Sequence, residues 1–181
     1  MHRVAGFKLG TTSAGIKTPG RSDLVVMELQ PGSTVAGVFT QNAFCAAPVV
    51  VAKQHLSSAA PRYLVTNTGN ANAGTGEQGM IDAQASCIVL AELQGVSTAQ
   101  VLPFSTGVIG EPLPIEKLPA ALPAAVAALD ENTWASAAEG ILTTDTRPKG
   151  ASLQYQPDSA TDKLITITGI TKGSGMIKPN M

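Results

Sequence analysis

The stretch from Tyr63 to Phe104 constrains the fold more than any other part of this 181-residue chain. An apolar run, Tyr63–Thr66, reads as a buried strand. From Glu77 to Leu93 the apolar spacing becomes helical, with Met80, Ala83, Cys87, Leu90 and Ala91 on one face and Gly95 as the stop. Val101–Phe104 is a second buried strand. Strand, helix and strand in that order leave a crossover between parallel strands open as one arrangement.

The flanking segments set the class. Leu24–Leu29 reads as a strand, and the turn Gln30-Pro31-Gly32-Ser33 leads into another, Thr34–Thr40, so a hairpin is expected there. Val49–Ala52 looks like a further strand, and residues 1–22, rich in Gly, Thr, Ser and Lys, read as a loop. Two helices are expected later, over about Ile115–Leu129, interrupted by Pro119 and Pro123, and over about Thr133–Leu142. Gly150–Asp162 reads as a polar surface loop, and Leu164–Thr168 alternates as a strand. Hairpins early and helices late argue for an α/β fold of the α+β kind, helices packed on a largely antiparallel sheet, in one domain over residues 1–181. A doubly wound parallel sheet is the alternative that the crossover leaves open.

Composition excludes several functions. The net charge is −1 with no basic patch, so nucleic-acid binding has no electrostatic footing. No apolar run is long enough for a membrane span, and Met1–Lys8 lacks the core of a signal peptide, so a cytoplasmic protein is expected. Cys45 and Cys87 have no C-x-x-C spacing and only two histidines accompany them, which predicts free thiols, no metal site and no His-based triad. Aromatic residues are scarce, and small residues take their place, which suits close backbone packing and loops that approach a ligand. Low charge also hints at surface buried against a partner.

The remaining places for chemistry are loops of Thr, Gly and Asn. Asn67–Gly76 carries asparagines that cap helices, close turns or hold ligands. Ser105-Thr106-Gly107 follows a buried strand and offers a hydroxyl beside an unhindered N–H, the equipment of an oxyanion hole, though an ordinary turn needs no more. Leu142–Lys149 gathers three threonines, an acid and two bases. The C-terminal segment, Gly169–Met181, contains Lys172-Gly173-Ser174-Gly175 and stops in a partly apolar stretch.

Taken together these loops resemble the ornithine acetyltransferase (glutamate N-acetyltransferase) family. The resemblance runs through Ala5-Gly6-Phe7-Lys8, Ala14-Gly15-Ile16-Lys17, Asn67–Gly74, Ser105–Gly110, Thr143-Thr144-Asp145-Thr146 and Lys172-Gly173-Ser174-Gly175-Met176-Ile177 with Pro179-Asn180-Met181, in family order over nearly the whole chain. It implies a layered sandwich like that of N-terminal-nucleophile enzymes. It implies a precursor that cuts itself at an Ala-Thr bond beyond Met181, leaving this chain as the α-chain and a new threonine as nucleophile on a β-chain. It further implies acetyl transfer from N-acetylornithine to glutamate, with acetyl-CoA as an optional second donor, no cofactor, and an α2β2 or larger assembly. Thr106 and Gly107 would form the oxyanion hole, and Thr143 (or its neighbour Thr144) and Lys172 would contact substrate. A self-cleaving aminopeptidase that ends the same chemistry with water, and a glycine-rich binding module without catalysis, are the rival readings.

Overall fold

The computed structural model describes residues 1–157, 164–174 and 180–181. At its centre lies a four-stranded sheet of β1 (Phe7–Thr12), β2 (Leu24–Leu29), β3 (Tyr63–Asn70) and β4 (Val101–Val108), in that spatial order. β2 runs antiparallel to both β1 and β3, whereas β3 and β4 are parallel. The helices are α1 (Ala47–Ser58), α2 (Gly76–Gln94), α3 (Leu118–Ala127) and α4 (Trp134–Gly140). α2 is the crossover from β3 to β4 and ends on Gly95 in the left-handed conformation, φ 63°. The expected mixed, largely antiparallel sheet is present, and the crossover supplies its one parallel pair.

Strand alternation assigns the two faces of the sheet. Leu24, Val26, Tyr63, Val65 and Val101 pack against α1, α2 and α3 through Val51, Cys87, Leu90 and Leu122, which forms the main core. Each fully buried Leu or Val there is worth about 1.5–3 kcal/mol relative to exposure. A Cβ at Gly10 would stand 2.0 Å from the Ala125 carbonyl oxygen, so glycine is what lets α3 lie against β1. On the other face Leu9 and Val25 pack with Trp134, Ala137 and Ile141 of the α4 region. Phe7 stacks on Trp134 with ring centroids 5.2 Å apart.

A separate ribbon pairs β5 (Lys149–Tyr155) antiparallel with β6 (Ile165–Thr171). Ile170 turns toward the small core with Trp134. On the same strands Ser152 Oγ accepts from the His2 N–H at 2.8 Å and Thr168 Oγ1 donates to the His2 carbonyl at 2.7 Å. The opposite face shows Leu153, Tyr155, Ile165 and Ile167 to solvent.

Several local expectations fail for identifiable reasons. Residues 1–22 contain β1, whose Lys, Gly and Thr hide the pattern because only Leu9 and Gly10 are buried. The hairpin after Pro31-Gly32 does not form: both edges of β2 are taken by β1 and β3, and residues 33–43 adopt no regular element. Val49–Ala52 lies in α1, where Pro48 sits in the first turn and Ala47, Pro48, Val51 and Ala52 form the buried stripe. β3 runs on to Asn70, through the first four residues of the expected loop Asn67–Gly76, and Lys149–Tyr155 is a strand rather than loop. Positions 158–162 of that loop, and Gly175–Pro179 of the C-terminal motif, lie outside the described residues. Cys87 is buried and Cys45 half-buried, both free, and burial pushes the Cys87 thiol up to about 12.

Candidate functional site

The carboxyl ends of β3 and β4 are where the parallel strand pair of the main sheet opens, the usual place for a ligand crevice in such sheets. Regular pairing ends there. Gly69 faces Gly107, and Asn70 pairs with both Thr106 and Val108 across a bulge. Gly69 and Gly107 have φ of 104° and 138°, and a Cβ at Gly107 would lie 2.3 Å from the Gly69 carbonyl carbon. The glycine at 107 is therefore required by its neighbouring strand.

The asparagines of the following loop are bound internally. Asn67 Nδ2 donates to the Asn70 carbonyl at 2.8 Å and its Oδ1 accepts from Ser105 Oγ at 2.5 Å. Asn70 Nδ2 reaches the carbonyls of Glu111 and Pro112, and its Oδ1 takes the Asn72 N–H at 2.7 Å. Asn72, fully buried at φ 45°, ties the Gly79 carbonyl and the Thr75 hydroxyl. Of the roles open to these residues, they fill the turn-closing one, and they hold the β4 end rigid.

Over that end lies a cavity of about 670 Å³, walled by the 17–23 segment, the strand ends, Leu142–Thr144 and Lys172–Ser174. Thr106, Gly107, Thr143 and Lys172, the four residues singled out from sequence, all line it. Lys172 Nζ donates to Thr106 Oγ1 at 2.6 Å and to Thr143 Oγ1 at 2.8 Å. Thr144 instead shares a 2.9 Å hydrogen bond with Ser174 Oγ. Among the described residues, these two bonds engage two of the three N–H groups of the Lys172 ammonium. Burial pushes its pKa below the usual 10.5; Asp145 opposes that shift and Lys149 adds to it.

A second charged group supports the first. Asp145 accepts from Lys149 Nζ at 2.5 Å and from the Gly173 N–H at 2.8 Å, with its side chain shut off from solvent. Lys149 also donates to the Gly173 carbonyl at 3.0 Å. The Lys149 ammonium foremost, then the Gly173 N–H, hold the Asp145 carboxyl down at about 2. This clasp fixes the loop bearing Thr143 against the loop bearing Lys172.

Sequence reasoning missed the far wall. Buried Asp23 accepts the Ala14 and Ile16 N–H groups, each at 2.6 Å, and so folds the segment that carries Lys17 and Arg21 into the cavity lining. Arg21 Nη2 donates to the Leu142 carbonyl at 2.7 Å. The signal was local: an acid directly before a buried strand, preceded by a glycine-rich stretch with two cations. His55, by contrast, lies off the cavity, with Nδ1 2.7 Å from the Val101 carbonyl. Among the described residues no group of three or more His, Cys, Asp or Glu side chains is placed to hold a metal ion, and no helix is long and apolar enough to cross a membrane.

Residues 8–181 match the ArgJ family. The arginine biosynthesis bifunctional protein ArgJ of Pseudomonas fluorescens (strain Pf0-1) is 64% identical over 181 residues, which are all of this chain and 44% of that protein. The protein of the same description from Pseudomonas syringae pv. tomato is 61% identical over the same span and share. The chain thus spans under half the length of the curated relatives it matches. Among solved structures, ornithine acetyltransferase of Mycobacterium tuberculosis, complexed with ornithine, superposes with a TM-score of 0.87 at 34% identity, covering 96% of this chain and 91% of that one. The arginine biosynthesis bifunctional protein ArgJ of Bacillus halodurans gives 0.81 at 33% identity, covering 97% and 91%. The layered α/β plan expected from sequence is the one these structures share.

Proposed function

The chain belongs to the ArgJ family, and from that premise we propose that it is the N-terminal (α) part of an acetyltransferase of arginine biosynthesis that moves acetyl from N-acetylornithine to glutamate. The observation that carries the reading is the Lys172 ammonium bridging the hydroxyls of Thr106 and Thr143 inside a cavity built on the β3 and β4 ends. An ammonium has no lone pair, so Thr106 Oγ1 accepts from it and must turn its own proton elsewhere. A hydroxyl polarised in this way is a strong donor to negative charge that develops on a substrate carbonyl.

The nucleophile in this reading is the N-terminal threonine of a β-chain cut from the same precursor, with its own α-amine as base. It attacks the acetyl carbonyl of acetylornithine, and the oxyanion takes hydrogen bonds from the Thr106 hydroxyl and the Gly107 N–H. Collapse expels ornithine, whose amine nitrogen takes up the proton, and leaves an acetyl-threonine ester. Glutamate's free amine then attacks that ester through the same oxyanion, which gives N-acetylglutamate and restores the threonine. Lys172 and Thr143 hold the α-carboxylate that donor and acceptor have in common. The reading also includes acetyl-CoA as a further donor, an α2β2 or larger assembly, no cofactor, and a cytoplasmic setting, which suits water-soluble amino-acid metabolites. The outward apolar face of β5 and β6 supports a partner chain: Leu153, Tyr155, Ile165 and Ile167 stand where a packed layer would cover them.

Expression of the full-length gene product tests the proposal. Two chains in the intact mass, a β-chain that gains one acetyl group with acetylornithine, and loss of that group to glutamate faster than to water are expected. A single uncut chain would return the protein to a binding module. An acetyl group lost equally fast without glutamate would make it a hydrolase.

A further inference from the structure

Lys172 does not account for all the positive charge of the cavity. Lys17 and Arg21 line it as well, and neither makes an ion pair among the described residues. Among the described residues the one carboxylate in the lining, Asp23, is occupied by the N–H groups of Ala14 and Ile16 at 2.6 Å. Three cationic side chains thus stand against one committed acid, a balance that favours a ligand with more than one negative group.

The segment bearing the two cations is held in place before any ligand arrives. Asp23 fixes its turn, and Lys117 Nζ grips the Gly15 carbonyl at 2.5 Å. Lys17 rides directly over the strand end: a Cβ on Gly69 would stand 2.9 Å from Lys17 Cβ, and Gly69 is the ladder partner of Gly107. Arg21 is anchored on the Leu142 carbonyl, one residue before Thr143. The arm therefore spans from the Gly107 wall to the Thr143 wall. Its planar guanidinium uses one nitrogen for the anchor and retains further donors for a carboxylate.

We infer that Lys17 and Arg21 form a second carboxylate subsite in this cavity, which receives the side-chain carboxylate of an α-amino dicarboxylate while Lys172 holds the α-carboxylate. The inference rests on the acetyltransferase reading and deepens it, because the two amino acids of that reading differ at this end. The acceptor ends in a carboxylate, and the departing amino acid ends in an ammonium. Lys17 and Arg21 attract the first and repel the second. Once the acetyl-enzyme has formed, they favour passage of the acetyl group onward over its return.

Equilibrium binding to the processed two-chain protein tests this without any turnover. Calorimetry would compare glutamate with glutamine, which has the same shape and a neutral side chain. The wild type should prefer glutamate by about tenfold or more, as expected for a charge-assisted contact. Lys17→Ala and Arg21→Ala should each reduce the preference, and the double variant should abolish it while glutamine affinity changes less than about threefold. Arg21→Lys, which keeps the charge, should retain most of the preference and so separates charge from loss of the Leu142 anchor. A wild type with no preference, a double variant that keeps it, or parallel loss of both amino acids would overturn the inference. Failure of wild-type acetyl transfer would sink the reading itself and leave this binding comparison intact.

Discussion

Lys172 Nζ lies 2.6 Å from Thr106 Oγ1, and in that pair the lysine is the donor. The consequence is directional. With its oxygen engaged by an ammonium, the threonine hydroxyl has one proton left to give. Lys172 also reaches Thr143 at 2.8 Å, so in the proposed mechanism substrate binding and oxyanion stabilisation meet on one side chain.

Thr106→Ala should therefore slow single-turnover acetylation by about 10²–10³-fold, the cost of one oxyanion donor. Thr106→Ser keeps the hydroxyl and should lose far less. Rapid-quench measurement on processed enzyme checks this, and an alanine variant within about threefold of wild type would make Thr106 an ordinary strand residue.

Lys172→Met should weaken acetylornithine binding by about 1.5–3 kcal/mol, the worth of a hydrogen bond to a charged group. It should also lower the acetylation rate at saturating substrate, because Thr106 loses its partner. The pH dependence has a definite sign. Burial lowers the pKa of Lys172 below 10.5, so carboxylate binding is present at neutral pH and disappears as pH rises through that lowered value. Stability moves the other way: between the folded and unfolded values the unfolded chain binds more protons, so this lysine's contribution to stability rises with pH. Affinity and denaturation midpoints measured from pH 7 to 10.5 for wild type and Lys172→Met should diverge in those opposite senses.

Asp145→Asn removes the charge that clasps Lys149 and the Gly173 N–H. The folded-state pKa of Asp145, about 2 against 3.8, means its stabilisation is complete above 3.8 and is lost as pH falls toward 2. Urea midpoints of wild type and variant should differ at pH 6 and converge on acidification. A constant gap down to pH 2 would assign the effect to something other than this carboxylate.

Gly107→Ala separates a structural from a catalytic role. The new Cβ would face the Gly69 carbonyl carbon at 2.3 Å, at a φ of 138° that L-residues rarely adopt. The variant should lose about 2–5 kcal/mol of stability from overlap and backbone strain combined. Chemical denaturation of the processed protein measures it, and a loss under about 0.5 kcal/mol would mean that the strand end is slack.

The sequence alone settled what local chemistry can settle. α2 follows from its apolar spacing and from Gly95, which only needs to be free to turn left-handed. The strand, helix and strand read from Tyr63 to Phe104 are β3, α2 and β4, and the ordered loop motifs pointed to the family. Thr106, Gly107, Thr143 and Lys172 were singled out by the family resemblance of their loops, and they do line one cavity. Tertiary structure decided everything that depends on a partner distant in sequence. β1 is a strand because β2 offers it an edge, not because its Lys, Gly and Thr favour one. Val49–Ala52, β-branched and strand-like in isolation, is helical because Val51 and its neighbours bury a stripe against the sheet. Lys17 and Arg21 face the same cavity as Lys172, some 150 positions away in the chain, because buried Asp23 folds their segment over Gly69. A period or a turn is written in neighbouring residues. The meeting of charges across a sheet is fixed by packing, to which every element contributes and which no short stretch of sequence encodes.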